Sequence, residues 1–211
     1  MLTVSLWLLP LGITIAIVFL SPVSIQAMAT TSCSSDGTTR STPKLVAFDL
    51  DGTIWAPDMY MLWGGGAPFR TVSNDELRDR SNQKVKLLGV SGKILDDIAT
   101  KPEWSDTIVA WVSCTDEPQR ADECMKKFRT PMGVPLVDRV HEQCIYKANK
   151  QSHFRDLKQR TNIDYSDMVF FDNENGNIRS VSQLGVRSIY CPQGMTEKIW
   201  KQGIEEWRQQ Q

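Results

Sequence analysis

The sequence predicts an α/β domain in which a central parallel sheet is sandwiched between helices, with a small flap and no large cap. Three observations predict it. Short apolar runs recur along the chain, helical patterns separate them, and two of the runs end in aspartate. Strands that alternate with helices pair in parallel and bury both faces of their sheet. Each strand therefore reads as a continuous apolar run.

The N-terminal part stands apart from this pattern. Met1 to Ser35 carries no Asp, Glu, Lys or Arg, and Leu6 to Leu20 is almost wholly apolar. Such a stretch reads as a secretory signal core or a membrane anchor. Ala27-Met28-Ala29 has the small-x-small pattern of a signal-peptidase site. Residues 1–29 are therefore expected to be a cleaved signal peptide. The alternative is an anchor that touches the membrane through residues 2–23. Residues 30–42 are rich in Ser and Thr, with one acid (Asp36) and one base (Arg40), and are expected to be a disordered linker. The expected destination is the secretory pathway: secretion, an endomembrane, or a plastid reached by a two-part presequence.

Residues 43–211 are expected to form the folded domain. Lys44 to Leu50 (KLVAFDL) is an apolar run ending in acid, as a buried strand would. Residues 55–87 break the strand–helix rhythm with Pro57, Gly64-Gly65-Gly66, Pro68 and the charged stretch Asp75 to Arg80. They predict a flap (about 55–88) built as a β-hairpin from Phe69–Val72 and Lys84–Leu88. Gly92 to Ala99 reads as a helix and Thr107 to Val112 as the second strand. Glu117 to Phe128 reads as a helix with Asp116 as its N-cap and Pro118 in its first turn. Gln143 to Tyr146 is a weaker strand, and Ser152 to Arg160 a helix with Phe154 and Leu157 on one face. Met168 to Phe171 is a strand that again ends in acid, at Asp172. Glu174 to Leu184 is a helix stopped by Gly185, followed by a strand at Val186 to Tyr190. Thr196 to Gln209 closes the chain as a helix with Ile199, Ile204 and Trp207 on its apolar face.

Charge and cysteine content exclude several classes. Lys and Arg number 24 against 25 Asp and Glu, for a net charge of −1, so nothing points to nucleic acid. Five cysteines without CxxC spacing argue against a zinc site and a disulfide framework. Free buried thiols are expected, with a Cys114–Cys124 bridge as the alternative.

The chemistry-bearing motif is Asp49-Leu50-Asp51-Gly52-Thr53, directly after the first strand. In an open α/β sheet, ligands bind beyond the carboxyl ends of the strands. Two carboxylates at i and i+2 there can reach one pocket, one as nucleophile and one as acid–base. Both are anionic, as is a phosphate, so the site calls for a cation. Mg²⁺ suits oxygen ligands and phosphate together. The competing reading, an Asx-turn after a strand, needs only Asp and Gly. A match to all four specified positions arises by chance at roughly one site in 10⁵, which decides against it.

This motif resembles the first motif of the haloacid-dehalogenase-like phosphohydrolases. Within that superfamily the chain is similar to the magnesium-dependent phosphatase-1 group. The likeness is carried by Pro43 to Trp55, Pro68-Phe69, Arg78-Asp79-Arg80, His153-Phe154, Met168 to Asn175, Gly185-Val186 and Gly194-Met195. It covers about residues 43 to 208 and implies a Rossmann-like three-layer fold.

The resemblance also implies roles. Asp49 would be the nucleophile and a Mg²⁺ ligand. Asp51 would be the general acid and then base, its backbone carbonyl touching the metal. Asp172 would be the remaining metal carboxylate. Ser113, with Thr115, and Lys150 would bind phosphate. His141 and His153 receive no catalytic role, and Trp55 and Trp63 could contact a leaving group or simply pack. The chain departs from the family at Asn173, where Asp is usual, and at Cys114, where close relatives carry Arg.

The expected activity is hydrolysis of phosphate monoesters, of acid phosphatase type. The substrate would be a phosphoprotein, including a protein tyrosyl phosphate, or a phosphorylated small molecule such as a sugar phosphate. The enzyme is expected to act as a monomer. The alternatives are a phosphotransferase, which generally needs a larger cap, and a binding protein on a degenerate fold, supported only by Asn173 and Cys114. A dehalogenase would not need the Asp51 acid.

Overall fold

The computed structural model describes residues 41–211; the expectations for residues 1–29 and for 30–40 lie outside the described residues. In chain order the elements are β1 (Leu45–Phe48), β2 (Trp55–Ala56), β3 (Arg70–Thr71), β4 (Glu76–Arg78), β5 (Lys84–Leu87), α1 (Ser91–Thr100), β6 (Ile108–Ser113) and α2 (Pro118–Lys127). They continue with β7 (Glu142–Ile145), α3 (Lys150–Thr161), β8 (Met168–Asp172), α4 (Asn175–Ser182), β9 (Arg187–Tyr190) and α5 (Glu197–Arg208). Among the described residues, no helix is long and apolar enough to cross a membrane.

The five expected apolar runs form one sheet in the order β7-β6-β1-β8-β9, with every neighbouring pair parallel. Strand side chains alternate, so the sheet feeds two separate cores. Val46, Phe48, Trp111, Val169 and Phe171 face α1, α2 and α5, where they meet Ile94, Met125 and Trp207. Leu45, Ala47, Val112, Met168 and Phe170 face α3 and α4, where they meet Phe154, Leu157 and Val181. The result is the expected three-layer sandwich. The four cysteines described are free.

Local chemistry sets the helix ends. Asn149 caps α3 by accepting from the Ser152 amide, and Thr196 caps α5 by accepting from the Ile199 amide. The expected Asp116 cap on α2 is corrected: Glu117 occupies the N-cap position, without a side-chain bond, and Pro118 begins the helix. A residue before proline is disfavoured from the helical region, so Glu117 cannot be the first helical residue.

The flap lies within its expected span, but its pairing differs. Phe69–Val72 and Lys84–Leu88 do not form a hairpin with each other. The charged segment β4 lies between them, in an antiparallel sheet of order β2-β5-β4-β3. The hydrophobic pattern concealed β4, because only its Leu77 is buried while Glu76 and Arg78 are half-exposed.

Gly203 in α5 shows how tightly the last layer packs. A Cβ built there would lie 2.7 Å from Cε1 of Phe171, whose ring is buried against Phe48 and Trp200. Gly→Ala inside a helix ordinarily stabilises by about 1 kcal/mol. Here we expect Gly203→Ala to destabilise by about 1–3 kcal/mol, because the ring has no space to yield. Thermal melting checks the sign: a Tm below the parent's is expected.

Candidate active site

Because all strands of the large sheet run parallel, their carboxyl ends share one edge. β1 sits between β6 and β8, so Asp49 leaves the sheet beside Ser113 and Asp172. Its amide donates to the Phe171 carbonyl at 2.9 Å. The chain then turns at Gly52 (φ +74°), a left-handed conformation that suits glycine.

Lys150, the first residue of α3, brings the acids together. It is 2% exposed, and its ammonium donates to Asp49 Oδ1 and to the Val112 carbonyl while lying 3.4 Å from Asp172 Oδ2. A lysine has three donors; two are committed to Asp49 and Val112, and the third is left to face Asp172 or a ligand. Asp172 is fully buried and accepts from the Glu174 amide (2.7 Å) and Asn177 Nδ2 (3.0 Å).

Burial pushes the Asp49 carboxyl above its ordinary value, with the charge of Lys150 pulling it back. Burial, joined by the charge of Asp49, pushes Asp172 up to about 7. Burial also pushes Asp51 up to about 7, against a hydrogen bond from Trp55. For Lys150, burial works against the charge, but Asp49 and Asp172 outweigh it and its pKa is raised.

These residues border a cavity of about 260 Å³. Asp49, Asp51, Ser113, Thr115 and Lys150 all line it. Asp172 lies behind that lining, reached through Lys150. Ser113 Oγ accepts from the Thr115 amide (3.3 Å), and Thr115 Oγ1 accepts from the Glu117 amide (3.0 Å). Both hydroxyl protons remain free to donate.

The sequence reading missed Asp58, Tyr60, Asp116, Lys147 and Asn177 as lining residues, and gave Glu174 no role. Glu174 and Asn177 had a usable signal, since they follow the Asp172 strand end into a helix start. Asp58 and Tyr60 had none, because only the fold of the flap carries them to the cavity.

The remaining sequence positions sort clearly. Asn173 does not line the cavity. Its amide donates to Thr53 Oγ1 (3.1 Å), and that hydroxyl donates to Asn173 Oδ1 (3.3 Å). Cys114 lines the cavity, but burial raises its pKa and keeps it a thiol. His141 accepts from the Val109 amide through Nδ1, and His153 pairs with the Tyr146 carbonyl through Nε2, as structural histidines do. Trp55 is buried and bonded to Asp51, whereas Trp63 is 80% exposed.

A parallel α/β sandwich with paired aspartates and a buried lysine at its strand ends is the architecture of a hydrolase of the haloacid-dehalogenase type. The acid phosphatase family model matches residues 41–210, and the chain belongs to that family. The chain is 33% identical over 169 residues to magnesium-dependent phosphatase 1 of Homo sapiens, covering 80% of this chain and 89% of that protein. It is 30% identical over 167 residues to a HAD-like hydrolase superfamily protein of Schizosaccharomyces pombe, covering 77% and 89%. A solved HAD-superfamily hydrolase from Ehrlichia chaffeensis superposes with a TM-score of 0.52 over 80% of this chain and 97% of that one. At 13% identity this last likeness speaks for the fold alone. The protein is a phosphatase of the haloacid-dehalogenase type.

Removing the ammonium should expose the electrostatic cost of the site. In Lys150→Met, measured with a chelator present, we expect a loss of about 3–5 kcal/mol, since buried carboxylates lose their partner. The deficit should be larger at pH 8 than at pH 5. Both aspartates titrate near 4 when unfolded but higher when folded. Without Lys150, whose charge lowers both, they rise further, so the variant's folded state holds still more protons than the parent's and its deficit grows as pH rises through the window. Melting curves at the two pH values check this.

Proposed function

We propose that the protein hydrolyses phosphate monoesters with Mg²⁺, through a covalent aspartyl-phosphate on Asp49. One observation carries the reading: Asp49, anchored by Lys150, and Asp51, able to hold a proton near pH 7, face the same cavity.

The residues fit a hard cation. Asp49, Asp51, Asp58, Asp116 and Glu174 line the cavity against only Lys147 and Lys150, so a phosphate dianion could not enter without further positive charge. The Asp51 carbonyl accepts no hydrogen bond among the described residues. No cluster of three or more His, Cys, Asp or Glu among the described residues forms a cage by itself. Mg²⁺ needs no such cage, since it keeps several waters and takes one or two carboxylates plus the substrate phosphate. Asp49 and the Asp51 carbonyl border the cavity and would hold it, with Asp172, set behind Lys150, as the further carboxylate that the resemblance implies. When bound, the ion would supply positive charge that offsets the carboxylates and the phosphate.

The chain's own groups do the rest. Lys150 holds Oδ1 of Asp49, leaving Oδ2 to attack phosphorus. As the P–O ester bond breaks, the Asp51 carboxyl gives its proton to the leaving oxygen. Asp51 then takes a proton from water, whose oxygen attacks the same phosphorus, releasing phosphate and regenerating Asp49. Ser113 and Thr115 hydroxyls, with Lys150, orient the phosphoryl oxygens.

The flap is a small sheet rather than an enclosing domain, which favours water over another acceptor and so hydrolysis over phosphoryl transfer. Asn173 is engaged with Thr53, so its replacement of Asp leaves the reacting acids intact and gives little support to a degenerate binding protein. The Tyr60 ring at the cavity favours an aryl leaving group, such as a phosphotyrosyl side chain, over a phosphosugar.

Asp49→Asn is expected to lower p-nitrophenyl phosphate turnover by at least about 10³-fold, and to lower Tm as well because the buried Lys150 loses one charged partner. A chelator should abolish wild-type turnover, and added Mg²⁺ should restore it. Turnover surviving Asp49→Asn would eliminate the nucleophile assignment. We further propose that residues 1–42 direct the chain into the secretory pathway, on the strength of the Leu6–Leu20 run. A fluorescent reporter fused to those residues should enter that pathway; diffuse cytosolic fluorescence would refute it.

A further inference from the structure

Trp55 is fully buried, yet its one polar atom is committed to the active site. Its indole Nε1–H donates to Asp51 Oδ1 at 2.7 Å. The ring stacks on Phe128, with centroids 6.0 Å apart and planes 21° from parallel. The backbone of Trp55 is fixed on both sides. Its amide donates to the Leu50 carbonyl (3.2 Å), and its carbonyl accepts from the Gly52 amide (2.8 Å). It also starts the flap, pairing with Leu87. The backbone is fixed by these bonds, and the indole itself is held beside Asp51 by its burial and by the Phe128 stack.

An indole N–H is a donor only and never accepts a proton. While this bond stands, Oδ1 of Asp51 must act as an acceptor. We propose that Trp55 is a positioning residue that confines the transferable proton of Asp51 to Oδ2 and holds the carboxyl in one rotamer. The inference rests on the assignment of Asp51 as general acid. It gives a buried tryptophan, otherwise explained by packing, a role in proton delivery. It also ties that delivery to the seating of the flap, because one residue serves both. Without the bond, only the Met59 amide is left to hold the carboxyl, and proton transfer to the leaving group loses its fixed geometry.

The test uses the full chain and a series of phosphate monoesters running from p-nitrophenyl through phenyl to alkyl. Their leaving oxygens need progressively more help from an acid, and kcat/KM reports the step in which they depart. In Trp55→Phe the loss of kcat/KM should steepen along the series, reaching about 10- to 100-fold for the alkyl ester. Asp51→Asn should show the same trend more strongly. Trp55→His, which keeps a ring N–H, should recover part of the alkyl ester loss. A loss equal for all esters in Trp55→Phe, beside a steep trend in Asp51→Asn, would reduce Trp55 to a packing residue and overturn the inference. No trend in Asp51→Asn would instead overturn the acid assignment, and the inference with it.

Folding of the Trp55 variants is not essential to the test. The chain has seven tryptophans, and nuclear magnetic resonance resolves indole N–H signals. Asp51→Asn should shift one of them strongly, because the acceptor loses its charge. An indole spectrum unmoved by Asp51→Asn would show that the bond is absent.

Discussion

The buried ammonium of Lys150 holds the functional edge of this molecule together. It joins the first residue of α3 to the ends of β1, β6 and β8 through Asp49, Val112 and Asp172. A buried ion pair seldom stabilises a fold more than well-packed apolar residues would, because desolvation costs about as much as attraction returns. Its presence here is better explained by chemistry. Two carboxylates and an incoming phosphate repel one another, and a fixed cation lets them occupy one place. The parallel sheet is what makes such a meeting feasible, since it delivers the ends of neighbouring strands to a single edge.

The flap is tied down by buried polar contacts rather than left as a loose lid. Asp79 accepts from the amides of Gly66, Ser81 and Gln83, and a Cβ on Gly65 would collide with its carboxylate. Arg120 of α2 donates to the Met59 carbonyl and so fastens the loop that carries Asp58 and Tyr60. These anchors fix which residues look into the cavity. The environment that lifts the Asp51 carboxyl toward neutrality depends on them, because burial is its largest cause. The same low-dielectric setting makes the acid useful: a carboxyl near 7 can both give and take a proton under ordinary conditions.

Two readings failed for different reasons. The cap expected at Asp116 moved to Glu117 because the residue before Pro118 is kept out of the helical region. The hairpin expected from Phe69–Val72 and Lys84–Leu88 gave way to a sheet with β4 between them, because that segment is rich in charge and an apolar pattern carries no information where few side chains are buried. β4 is held by its ladder to β5 and by ion pairs from Glu76 to Arg78 and Lys84, none of which requires a hydrophobic signature. Asp58 and Tyr60 escaped notice for a related reason, since neither belongs to a motif and each reaches the cavity only because its neighbours are folded.

By itself, the sequence determined the five core strands, the layers around them and the carboxylate pair of the first motif. Those features follow from local patterns: apolar runs that must be buried on both faces, and acids placed where such runs end. Only the tertiary structure decided that Lys150 reaches Asp49 and Asp172, that Trp55 bonds Asp51, and that Asn173 turns toward Thr53 rather than into the cavity. Lys150–Asp49 and Asn173–Thr53 join residues a hundred or more positions apart, and such contacts are set by strand order and by desolvation in a shared interior, neither of which a linear pattern encodes.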